Sequence, residues 1–251
     1  MKVLIQAIVS FFVFIVDFVY GNRSYPRFYV LETIARVPYF SYLSVLHLYE
    51  TLGYWRKADL LKLHFAETWN ELHHLLIMES LGGGRHWIDR FIAQHVAVAY
   101  YWVVVLIYML FPSYAYYLME LIEGHAYHTY DEYLKTYEAQ LKAQRAPQVA
   151  INFYRDGDLY MFDEVQTAPV HEFRRPKVDN LYDVFVNIRD DESEHVKTMV
   201  ALQKPEARLT FKSPHTVFEA IAAIAEGEAF LQDATQTPIT DKPDDLCSPS
   251  P

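Results

Sequence analysis

The stretch DDESEHVKTM, residues 190–199, sets four acids, a histidine and a lysine into ten positions that otherwise read as helix. Upstream and through it, Leu181, Phe185, Ile188, Glu192, His195 and Met199 recur in steps of four and three, the repeat of a single helix face. The other members of that face are apolar, so it is expected to pack inward and to take Glu192 and His195 with it. Asp190, Glu194 and Lys197 fall off the stripe. A buried glutamate beside a buried histidine needs partners, because an isolated carboxylate in a core costs several kcal/mol.

Three further helical stripes offer them. Tyr25, Phe28, Glu32, Ala35, Tyr39, Tyr42 and Leu46 align on one, and His64, Thr68, Glu71, His74, Met78 and Leu81 on the next. Tyr116, Glu120, Glu123, Tyr127, Tyr130 and Leu134 align on the third. Each stripe carries a carboxylate, and two carry Glu-x-x-His. Chance alone gives roughly 0.75 such tetrapeptides in a chain of this composition, so the two found weigh little by themselves. Their weight comes from lying on core faces of different helices, each preceded by a helix with its own stripe glutamate. That is the ligand set of a di-iron carboxylate bundle. Carboxylates and imidazole suit iron, and two ferrous ions balance four carboxylates.

The rest of the chain fits one large domain. Its 251 residues are 52% hydrophobic and 16% aromatic, and a net charge of −10 argues against nucleic-acid binding. The single cysteine, Cys247, excludes an internal disulfide and a multi-thiolate metal site. Two long apolar segments, 3–20 and 91–111, could each cross a bilayer by length. The second must run the length of the bundle between the helices that carry Glu71 and Glu123, and a transmembrane course would separate those two residues. The geometry expected is therefore both helices lying beside the bundle, half-sunk in one leaflet, with Gln6 and Asp17 interrupting the first. Residues 3–20 make a poor signal peptide, with one lysine before them and no good cleavage site. The domain plan is an N-terminal membrane-associated helix in 1–24 and a bundle over 25–203. An irregular insertion at 147–178 follows from its prolines, and a partly disordered extension covers 204–251, with a short amphipathic helix over 214–231.

The blocks LETIARVPYF, NELHHLLIMES, EGHAYHTYDEYL and RDDESEHVKTM resemble the four signature blocks of the alternative oxidase family, most closely its plastid terminal oxidase branch. The resemblance covers about residues 25–201. It implies an all-α, ferritin-like di-iron four-helix bundle with two extra apolar membrane helices. It also implies a dimeric, non-electrogenic enzyme that oxidises plastoquinol or ubiquinol and reduces oxygen to water in a thylakoid-type or bacterial membrane. Carried over block by block, the iron ligands fall on Glu32, Glu71, His74, Glu123, Glu192 and His195. Tyr130 matches the family's active-site tyrosine, and Asn70 and Asp191 match residues that orient ligands by hydrogen bonds. Arg27, Leu31, Ala126 and Thr129 match the quinol pocket.

The sequence departs from the mitochondrial branch where Gly124 and His125 follow Glu123, in place of two more glutamates, and in its insertion at 147–178. Thiol control of the plant mitochondrial kind is not expected, since the single cysteine is Cys247, nor is a transit peptide of the plant plastid kind. Two other classes stay open from the residues. One is a histidine-rich membrane desaturase or hydroxylase built on His73-His74 and His125-x-x-His128, and the other is a non-enzymatic ferritin-like iron binder.

Overall fold

A computed structural model describes residues 1–21, 23–54, 56–156, 176–205 and 208, and its described elements are all helical. The expected amphipathic helix at 214–231, the tail with Cys247, and most of the insertion lie outside those residues. The elements are α1 (Lys2–Tyr20), α2 (Ser24–Ala35), α3 (Val37–Thr51), α4 (Ala58–Ser80), α5 (Trp87–Leu110), α6 (Pro112–Lys142) and α7 (Gln148–Ile151). A π-helical turn, Asn152–Asp156, follows α7, and α8 (Leu181–Leu202) completes the set.

The helix expected to carry the stripe from Tyr25 to Leu46 is two. Pro38 has no N–H for the carbonyl of Ile34, and its ring crowds that carbonyl, so the chain breaks at Arg36 and restarts as α3 with proline in its first turn. Glycines at positive φ, Gly53 at 89° and Gly82 at 85°, stop α3 and α4. Gly83 instead permits a close approach of two backbones. A Cβ there would sit 2.6 Å from the Tyr25 carbonyl oxygen and 2.9 Å from that of Met78. Asp59 sits in the first turn of α4, where its charge suits the helix dipole, and Lys57 takes the cap position. At the start of α8, the Asn180 side chain accepts from the Asp183 N–H at 3.1 Å.

Glu32, Glu71, Glu123 and Glu192 meet at one level of the bundle. Seven residues onward along α2–α3 and α8, and seven back along α4 and α6, lie Tyr39, Met199, His64 and Tyr116, all fully buried. Seven residues the other way lie Tyr25, Phe185, Met78 and Tyr130, and Phe185 packs against both Tyr25 and Tyr130. The buried hydrophobic side chains accordingly form two clusters, one on each side of the acidic level. At ~1.5–3 kcal/mol for each fully buried large side chain, these clusters hold the charged level together from both ends. The same register means that α4 and α6 run in one direction, so the chain must return between them. α5 makes that return; its 24 residues span about 36 Å and pack on α2, α3 and α6.

α1 packs on α6 and α2, and like α5 it keeps most of its apolar surface uncovered. Phe11, Phe14 and Phe18 stand out from α1, and Val98, Trp102 and Leu110 from α5. The start of the insertion, 148–156, is helical. Val149, Ala150, Phe153 and Tyr154 supply enough apolar surface to fold 148–156 onto α4, where Phe153 stacks on His73 with ring centroids 4.1 Å apart.

Candidate metal centre

All six expected ligands converge. Glu32, Glu71, His74 and Glu192 each bring one donor atom within 4.8 Å of the others, and so do Glu71, Glu123, Glu192 and His195. Glu71 and Glu192 belong to both groups, which makes them the natural bridges, with Glu32 and His74 on one side and Glu123 and His195 on the other. His74 Nδ1 lies 3.1 Å from Glu192 Oε1, and His195 Nδ1 lies 3.0 Å from Glu71 Oε1. Helix periodicity explains the layout: Glu-x-x-His puts both side chains of α4, and both of α8, on one face.

The group these residues would hold can be tested on their own atoms. Every one of the six is at most 1% exposed, and every one keeps at least one buried oxygen or nitrogen without a hydrogen-bond partner. Both oxygens of Glu71 and of Glu192 are among them. Buried polar atoms are rarely left so, and nine of them in one cluster fit a pair of hard cations. Proton chemistry agrees. Burial, and then repulsion from the other carboxylates, raises Glu32, Glu71 and Glu123 above the ordinary glutamate range. Burial would raise Glu192 too, but its contacts with His195 and His74 outweigh that and lower it. Burial opposes charge on the imidazoles, yet Asp191 and Glu192 at His74, and Glu192 and Glu71 at His195, raise both well above the usual histidine value. Protons thus occupy the place that cations would take.

Around the six, the predicted residues fall as follows. Asp191 Oδ2 accepts from Asn70 Nδ2 at 3.0 Å and lies 3.1 Å from His74 Nε2. With His74 Nε2 protonated, Nδ1 is left facing the carboxylates. The Tyr130 hydroxyl donates to Glu32 Oε1. Arg27 Nη2 reaches Asp17 Oδ1 at 2.6 Å and Thr129 Oγ1 at 3.4 Å. Leu31 is half-buried beside Glu32, and Ala126 is buried one turn after Glu123. Two members of the third stripe, Glu120 and Tyr127, are only half-buried, and Glu120 accepts from Gln203 Nε2 at 2.6 Å.

Two residues escaped the sequence reading of the site. Tyr39 donates to Glu123 Oε1 at 2.6 Å, and its position seven residues after Glu32 was the available signal. Tyr154 donates to the same Asp191 oxygen at 2.8 Å from the π-helical turn, which buries it together with its neighbour Phe153. Of the four histidines of the desaturase reading, His74 alone joins a group; His73 stacks on Phe153, His128 is exposed, and His125 stays out of both groups.

Fold and site together define a helical bundle whose carboxylates and histidines are laid out for two metal ions. The chain belongs to the alternative oxidase family, which it matches over residues 3–204 and whose members are di-iron proteins. It is 57% identical over 205 residues, 82% of this chain and 58% of the relative, to the chloroplastic/chromoplastic ubiquinol oxidase 4 of Arabidopsis thaliana. To mitochondrial ubiquinol oxidase 2 of Glycine max it is 28% identical over 71% of the chain and 48% of the relative. To the mitochondrial ubiquinol oxidase of Mangifera indica it is 30% identical over 71% of the chain and 50% of the relative. The higher identity places it with the plastid terminal oxidase branch. The chain spans about half the length of the curated relatives it matches.

Proposed function

We propose that the protein is a non-electrogenic quinol oxidase that takes electrons from plastoquinol or ubiquinol and reduces oxygen to water. The observation that carries this reading is the convergence of six buried side chains, with ligand atoms left free, at a site one hydrogen bond from Tyr130. The names of the three relatives, all ubiquinol oxidases, support it. Glu32, Glu71, His74, Glu123, Glu192 and His195 would hold two irons, which when bound supply the oxygen binding and electron storage.

The chain's own residues do the rest. Arg27 and Thr129 face each other and would donate to a quinone oxygen, with Leu31 and Ala126 as apolar neighbours. Asp17 holds the Arg27 guanidinium in place. Thr129 and Tyr130 share a turn of α6, and a quinol held at Thr129 would pass its electron across that turn to the phenol that bonds Glu32. Tyr130 is fully buried, and burial with the nearby Glu32 and Glu192 charges raises its phenol well above its usual value. It therefore keeps its proton until an electron leaves with it. Asp191, with Asn70 and Tyr154 as donors, fixes His74.

The uncovered apolar faces of α1 and α5 support attachment to one leaflet of a plastid-type or bacterial membrane, and a homodimer there. The test is oxygen uptake by iron-loaded protein in liposomes supplied with reduced quinol. Quinol-dependent uptake without a proton gradient is expected. An iron-replete protein that consumes none contradicts the reading.

A further inference from the structure

A buried polar cluster lies outside the metal centre, seven residues from it along α4 and α6. His64 Nδ1 lies 2.8 Å from Glu67 Oε2, and both side chains are fully buried. His64 Nε2 lies 3.0 Å from the Tyr116 hydroxyl, which is 2.8 Å from the Tyr108 hydroxyl. One proton arrangement that satisfies these contacts leaves the imidazole neutral. His64 Nδ1–H donates to the Glu67 carboxylate, which leaves Nε2 to accept the Tyr116 O–H, while the Tyr108 O–H donates to Tyr116 Oη. A carboxylate, a neutral imidazole and a phenol in that order make the imidazole a good proton acceptor, because an imidazolium formed there would sit directly against a buried carboxylate.

Aromatic rings connect this cluster to the metal level. Tyr39, whose hydroxyl bonds Glu123, has its ring centroid 6.2 Å from Tyr42 and 6.3 Å from His64. Tyr42 is 5.1 Å from Tyr116 in turn. Packing alone would be served by phenylalanine and leucine here. A hydrogen-bonded Tyr–His–Glu array in the core is costly to build, and here it leaves Glu67 Oε1 without a partner.

We propose that Tyr116 is a second redox-active tyrosine, with His64 as its proton acceptor and Glu67 as the counter-charge. It faces the metal pair from the side opposite Tyr130. One electron leaves Tyr116, by way of the Tyr42 and Tyr39 rings, for an oxidising equivalent that oxygen has left at the iron pair. The Tyr116 phenol proton moves to His64 Nε2, giving a neutral tyrosyl radical and an imidazolium held by Glu67. A later one-electron reduction by quinol, which leaves as its semiquinone, returns the electron, and the His64 imidazolium returns the proton to Tyr116 Oη. The array would thus hold an oxidising equivalent within the protein when quinol is scarce. The inference rests on the oxidase reading above.

The experiment is rapid-freeze electron paramagnetic resonance of the iron-loaded, reduced, full-length protein mixed with oxygen in the absence of quinol. Quinol-dependent oxygen uptake and iron content are measured in parallel. Wild type is expected to show two tyrosyl components. Tyr116→Phe should lose one of them and Tyr130→Phe the other. His64→Gln should lose the Tyr116 component while keeping its iron and the Tyr130 component, an effect that a merely structural histidine would not produce. Tyr108→Phe leaves the Tyr116–His64 bond in place and should keep both components. A wild type that turns over quinol yet gives no tyrosyl signal, or one unchanged by Tyr116→Phe, overturns the proposal. A Tyr116 signal in a protein that oxidises no quinol would overturn the substrate reading and leave the redox tyrosine standing.

Discussion

Tyr39 donates to Glu123 across the bundle, and the bond is the mirror of the one from Tyr130 to Glu32. Tyr39 stands seven residues after Glu32, and Tyr130 seven residues after Glu123, so each helix caps the other's carboxylate. The two tyrosines are not equivalent in their surroundings. Tyr130 adjoins Thr129 and the Arg27 side, whereas Tyr39 adjoins His64 and Tyr42.

That difference separates two substitutions with the same chemistry. Tyr130→Phe should keep iron, fold and membrane attachment and lose nearly all quinol oxidation. Its stability should change by about 1 kcal/mol, the worth of one hydrogen bond. Tyr39→Phe should cost about as much in stability and retain most turnover under excess quinol. Oxygen uptake normalised to bound iron makes the comparison, and equal losses in both variants would remove the special role of Tyr130.

Asp191 receives Asn70, His74 and Tyr154 on a single oxygen. Asp191→Ala leaves all three without that acceptor and frees the His74 ring to turn. Iron affinity should fall about 10–100-fold, the usual cost of losing such a partner. Tyr154→Phe removes one of the three donors and should lower affinity much less. Iron titration under anaerobic conditions reads both.

Proton occupancy of the metal-free site gives a pH dependence whose sign can be worked out. Glu32, Glu71, Glu123, His74 and His195 all have folded values above their unfolded ones. Their contribution to folding is fully present below the unfolded values and is lost as pH rises through the folded ones. Glu192 runs the other way, losing its contribution as pH falls through its lowered value. The five outweigh the one, so the metal-free bundle should weaken as pH rises above the ordinary glutamate range. Cations replace those protons, so the gain in Tm on adding ferrous iron should grow over the same rise. Anaerobic thermal melts at several pH values test this; a gain that shrinks as pH rises contradicts it.

Much of this was legible in the sequence because the bundle keeps a seven-residue register through the metal level. Glu32, Glu71, Glu123 and Glu192 stand out as charged members of apolar stripes, and the two Glu-x-x-His pairs follow from helix geometry. What links one helix to another was not legible. That Tyr39 reaches Glu123 rather than its own Glu32 depends on how α2–α3 sits against α6. Tyr154 lies in a stretch whose neighbouring prolines read as irregular, and only the π-helical turn directs it at Asp191. At Arg36 the kink that Pro38 signals in the sequence is a full break between two helices.

Packing at the end of α4 allows a prediction independent of any cofactor. Gly83→Ala would drive a methyl group against two backbone carbonyls and the Tyr29 side chain, none of which can move freely. It should cost about 1–3 kcal/mol by overpacking. The same change at Gly53, which has a positive φ but open space around it, should cost only about 1 kcal/mol. Denaturant melts compare the two, and equal losses would contradict the close approach of α2 to this turn.

Iron stoichiometry tests most directly whether six side chains from four helices hold a pair of irons. Purified wild-type protein, loaded anaerobically and freed of loose metal, should carry about two irons per chain. Glu71→Ala and Glu192→Ala each remove a carboxylate shared by both halves of the site, so each should lose both irons rather than one. Full iron content in either variant, or no more than one iron per wild-type chain, would contradict the account.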